Sequence, residues 1–147
     1  MIYFLLSLFL GFIAVIQGGL NKQITQDWGL AGAVTINSSI LLLIVIIFAV
    51  ITASFPQYFP NIFIPKFNWA TWKWWYIIPA FCGFALIAGI PYAISKQGAL
   101  IVFLAIVVGQ MLCSLFWDYY MEAIPISPKR IIGAFLAIAG LAITVWR

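Results

Sequence analysis

Five stretches of this chain are apolar over lengths that match the hydrocarbon core of a bilayer, and placing them leaves few choices about the fold. A helix needs about 20 residues, within a range of about 17–25, to cross that core. The first stretch starts at Ile2, becomes more polar after Gln17, and gives a span of about 2–27. The second, about 30–53, contains the run ILLLIVIIFAVI. The third and fourth, about 74–95 and 99–120, are separated by Lys96-Gln97-Gly98, which reads as a tight turn. The fifth, about 128–146, opens on Ser127 as a capping residue with Pro128 at the first helical position. Between the second and third spans, prolines at 56, 60 and 65 forbid a continuous helix, so residues 55–73 are expected to form an interfacial loop. The sequence therefore predicts an all-α integral membrane protein with five transmembrane helices in a single transmembrane domain, 1–147.

Composition excludes most other classes. With 66% apolar and 7% charged residues and a mean hydropathy of +1.17, the chain lacks the charge that keeps a soluble domain dispersed. Aromatic residues make up 18%, and the girdle WATWKWW before the third span suits a headgroup interface. A net charge of +4, scattered singly, is expected to meet anionic lipid in the bilayer and not nucleic acid. There is no histidine, and Cys82 and Cys113 lie inside apolar stretches without ligand spacing. They read as packing residues, and no metal, cofactor or catalytic group is expected. The first span lacks a basic leading segment and is too long for a cleaved signal, so it reads as retained.

An odd number of spans puts the termini on opposite sides, so a tandem duplicate would insert upside down, the architecture of inverted-repeat transporters. This chain supplies one such half. Lys66, Lys73, Lys129 and Arg130 fall on one side and Lys22, Lys96 and Arg147 on the other, four against three. So small a bias favours dual topology and an antiparallel homodimer with its axis in the membrane plane, the alternative being a single orientation set by another feature.

Polar residues occur at depth. Asn21 and Asn37 are each eight residues from Gly29, so a turn there places both about 12 Å below one surface. Gln17 lies one turn deeper. Gln110, twelve residues beyond Gly98, is about 18 Å from the same surface. Ser38 adjoins Asn37, and Ser114 is one turn beyond Gln110. Such amides either join helices to one another or line a cavity, and several at one level favour the cavity. Asp118 shares the face of Gln110 and Ser114. It is either an interfacial residue or part of a vestibule.

Small residues mark packing faces: Gly11 and Gly18 on the first span, Ala105 and Gly109 on the fourth, Gly133 and Ala137 on the fifth. In GIPYAISK, Gly89 and Pro91 predict a kink near Tyr92, which serves either packing or as a hinge.

The stretches GFIAVIQGGLNKQI, GLAGAVTINSSILLL, KQGALIVFLAIVVGQMLCSLFWD and SPKRIIGAFLAIAGLAI, in this order, resemble the YdcZ-like five-helix family of the drug/metabolite transporter superfamily. The resemblance covers most of the chain outside the proline loop. Past Asp118, YYMEAIP departs from the family's pattern. The resemblance implies transport of a small molecule by a dimer of oppositely oriented units in the bacterial inner membrane. It makes Gln17, Asn21, Asn37, Gln110 and Asp118, with the neighbouring Ser38 and Ser114, the candidate substrate-binding residues. The function expected is a membrane transporter moving a small polar or amphipathic metabolite or drug by alternating access. A dual-topology ion channel and a structural subunit of a membrane complex are the alternatives.

Overall fold

The structure, a computed structural model, describes residues 2–66, 68, 70 and 72–146. Arg147, counted above in the charge bias, and Trp69 and Thr71 of the aromatic girdle lie outside the described residues. Among the described residues every regular element is helical: α1 (Ile2–Ser54), α2 (Ile78–Gln97), α3 (Ala99–Tyr120) and α4 (Pro128–Val145). Short 3-10 turns occupy Pro56–Tyr58, Asn61–Phe63 and Trp74–Ile77, the last running directly into α2. Among the described residues, four helices are long and apolar enough to cross a membrane.

α1 is too long for one crossing. Its 53 residues amount to about 80 Å of helix against about 30 Å of hydrocarbon. Gly29 interrupts it with φ 72° and ψ 165°, a conformation open in practice only to glycine. Gly98, between α2 and α3, adopts nearly the same backbone, φ 82° and ψ 158°. The connection between α3 and α4 uses a non-glycine, Ala123, at φ 52°.

By its internal contacts the chain divides into two compact units, Leu20–Tyr92 and Met1–Gly19 with Ala93–Arg147. In the first, Phe63 sets its ring edge-on to Phe48 with centroids 6.1 Å apart, so the proline segment folds back along the end of α1. Thr52 and Pro91 are fully buried there, and Ala33 nearly so. In the second, α3 packs on α4. Few large side chains are buried, and the long Leu, Ile and Phe rows face outward. That is the reverse of a water-soluble core, and it suits a chain whose solvent is lipid.

Hydrogen bonding follows the same logic. The hydroxyls of Ser7, Thr25, Thr52, Ser114 and Thr144 each donate to a carbonyl three or four residues earlier in their own helix. In hydrocarbon this satisfies a group that water cannot reach. Ser127 does precede α4, with Pro128 in the first turn, but the expected side-chain cap is absent. Its backbone carbonyl accepts from Arg130 N–H at 3.0 Å and Ile131 N–H at 3.4 Å instead.

Gly29→Ala and Gly98→Ala should each cost about 1–3 kcal/mol, because a Cβ is strained in that backbone region. A Cβ at Gly83, within α2, meets nothing within 4 Å, so Gly83→Ala should be neutral or stabilising by up to about 1 kcal/mol. Thermal unfolding of the detergent-solubilised variants, followed by tryptophan fluorescence, checks the contrast.

Candidate functional site

The polar residue most enclosed by the fold, apart from Thr52, is Asn21, 6% exposed. Asn37 Nδ2 donates to Asn21 Oδ1 at 2.9 Å. Sixteen residues of straight helix would separate the two by about 24 Å, so the bond exists only because the chain reverses at Gly29. The equal spacing of both residues about that glycine brings them to one level. One turn after Asn21, the Thr25 hydroxyl donates to the Asn21 carbonyl at 2.8 Å. The pair keeps spare capacity: Asn21 Nδ2 retains two N–H donors, and Asn37 Oδ1 an acceptor. Ser38, beside Asn37, is exposed.

The other unit holds Gln17, Gln110, Ser114 and Asp118. Gln17 and Gln110 are exposed, and neither side chain hydrogen-bonds to a described residue. Gln110 stands at the middle of α3, eleven residues from Ala99 and ten from Tyr120. The Ser114 hydroxyl is spent on the Met111 carbonyl at 2.9 Å.

Asp118 has a definite partner. Its Oδ2 accepts from Arg130 Nη1 at 2.8 Å, with the side chains 33% and 46% exposed respectively. Its backbone carbonyl accepts from Ile124 N–H at 2.8 Å. Helix dipoles give the physical reason. Arg130 lies in the first turn of α4, where a cation is disfavoured, and a carboxylate placed there compensates it. Trp117 Nε1 reaches Glu122 Oε1 at 3.4 Å, a weak second tie over the same connection. Sequence reading counted Arg130 only as a topology charge. The available signal was two opposite charges at the facing ends of consecutive helices joined by a short connection.

The hinge candidates fall inside a helix that continues through Pro91. Proline lacks the N–H that would have bonded the Ile87 carbonyl. Gly89 is exposed, and a Cβ there would meet nothing within 4 Å. Of the packing residues, Gly18 is buried, whereas Gly11, Ala105 and Gly109 are exposed, and Gly133 and Ala137 are partly covered.

A family described as "Putative inner membrane exporter, YdcZ" matches residues 2–143. The chain belongs to this family. It is accordingly an inner-membrane protein of an exporter family, and the resemblance read from the sequence is shown. No curated protein and no solved structure matched the chain.

Two measurements follow from this geometry. A double-mutant cycle on Asn21→Ala and Asn37→Ala should give a coupling of about 0.6 kcal/mol, and at most about 1.7, in detergent unfolding. The same cycle on Asp118→Asn and Arg130→Gln should give about 0–1 kcal/mol, falling as salt is added, since both side chains are well exposed.

Proposed function

We propose that two copies of this chain, inserted in opposite orientations, form one transporter that moves a small polar or amphipathic molecule by alternating access. The hydrogen bond between Asn21 and Asn37 carries this reading. It supports reading α1 as two crossings folded at Gly29, which would bring the count from four apolar helices to five spans. An odd count leaves the termini on opposite faces, and a copy related by a two-fold axis in the membrane plane then supplies the inverted half. The near balance of lysine and arginine between the two sides permits either insertion.

The groups proposed to meet the substrate are amides and hydroxyls. In the unit Leu20–Tyr92 they are the spare donors and acceptor of the Asn21–Asn37 pair, with Ser38. In the other unit they are Gln17, Gln110 and Ser114. Asp118 belongs at the mouth of the path, where Arg130 already balances its charge. Central binding would therefore rest on hydrogen bonds and not on an intramembrane carboxylate. The mutual bond of Asn21 and Asn37 also favours a packing role for those two, which the exposed glutamines do not share.

Alternating access needs places to bend. The proposed hinge is Gly89, Pro91 and Tyr92, where Pro91 removes a backbone hydrogen bond inside α2.

Topology in living cells tests the proposal. Cys82 and Cys113, both free and exposed, are replaced by alanine, and one cysteine is added after Arg147. Labelling of roughly half the molecules by an impermeant thiol reagent is expected. Labelling of all or none, in a chain expressed alone, would overturn the opposed-homodimer reading.

A further inference from the structure

In a dimer whose two-fold axis lies in the membrane plane, symmetry selects which residues can meet their own copies. A residue above the midplane maps to the same distance below it, so only one near the midplane can face itself. Gln110 has that position. It is about 16 Å along α3 from Ala99 and about 15 Å from Tyr120, in a helix about as long as the hydrocarbon is thick. Its amide is exposed and makes no hydrogen bond with a described residue. A primary amide carries both donors and an acceptor, so two copies complement one another or bridge a group held between them. An unsatisfied amide in hydrocarbon costs free energy, so a hydrogen-bonding partner at this mid-helix position would be stabilising. Beside it, Gly109 opens onto empty space, which lets another backbone or a ligand approach closely.

We propose that Gln110 of both copies forms a symmetric pair of amides across the dimer axis, so that the central binding site is incomplete in a single chain. This rests on the opposed-dimer reading given above and names the residue at its centre. The chemistry of the pair favours an uncharged hydrogen-bonding group of the substrate. The nearest charge along α3 is Asp118, about 12 Å away and already paired with Arg130. The symmetric placement also offers the same amides to a substrate arriving from either face.

Cysteine cross-linking of the full chain in native membranes tests this, in a background with Cys82 and Cys113 replaced by alanine. Gln110→Cys should link to its own copy, under copper–phenanthroline oxidation or with a two-carbon bis-methanethiosulfonate, shifting most of the chain to the dimer band. Ile106 and Ser114 lie one turn to either side on the same face. Ile106→Cys should therefore link to Ser114→Cys on a co-expressed copy and not to itself, a measurement that stands if the Gln110 variant fails to fold. Ile106–Ile106 and Ser114–Ser114 links without the mixed one would mean parallel copies. That result would overturn both this inference and the opposed dimer. No α3 link in a chain whose termini label on both faces would overturn the Gln110 pair alone and leave the opposed dimer standing.

Discussion

Hydrocarbon offers no hydrogen-bond partners, and this one deficiency organises the structure. Among the described residues, backbone groups are satisfied within helices except at the turns, in the proline segment and at the Ile87 carbonyl, whose helical donor Pro91 removes. The hydroxyls of Thr25, Thr52, Ser114 and Thr144 bond back to their own helices for the same reason. Where a side chain cannot reach its own backbone, it finds another of its kind, as Asn37 finds Asn21. With lipid as solvent, apolar burial contributes little to joining helices, so close backbone approach and a few polar bonds carry the association.

The turns express a second constraint. Gly29 and Gly98 share one backbone conformation, φ 72° and 82° with ψ 165° and 158°, and each lets one helix end and the next begin within a single residue. The connection from α3 to α4 is longer and is managed differently. There Asp118 holds Arg130 with its carboxylate and Ile124 with its carbonyl, and Ala123 takes the positive φ. A loop at the headgroups can use charge because water and lipid phosphates are within reach. The turn at Gly29 follows the polar segment Asn21 to Asp27 and reverses the chain at a single glycine.

The functional reading depends on which polar groups remain unspent. Asn21 and Asn37 satisfy one another in part, Ser114 is occupied by Met111, and Asp118 by Arg130. Gln17 and Gln110 are left with their full capacity on exposed faces. In a membrane exporter family, such groups are where a substrate or a second copy has most to offer energetically.

Much of this was legible in the residues. Apolar runs of bilayer length prescribed helices, three prolines in ten residues excluded one between Phe55 and Lys66, and the equal spacing of Asn21 and Asn37 about Gly29 put them at one depth. These properties are local, or follow from helical rise and the thickness of the hydrocarbon, so one dimension suffices to read them. The partner of Asp118, the burial of Thr52 and Pro91, and the backbone capping at Ser127 were not legible. A side-chain partner depends on the angle at which one helix leaves another, and that angle is set by the turn's dihedrals and by packing. The sequence determined that this chain lives in a membrane as helices with amides at depth, because lipid imposes those terms residue by residue. Only the tertiary structure decided which of those amides and charges are already satisfied, because that is a property of pairs far apart in the chain.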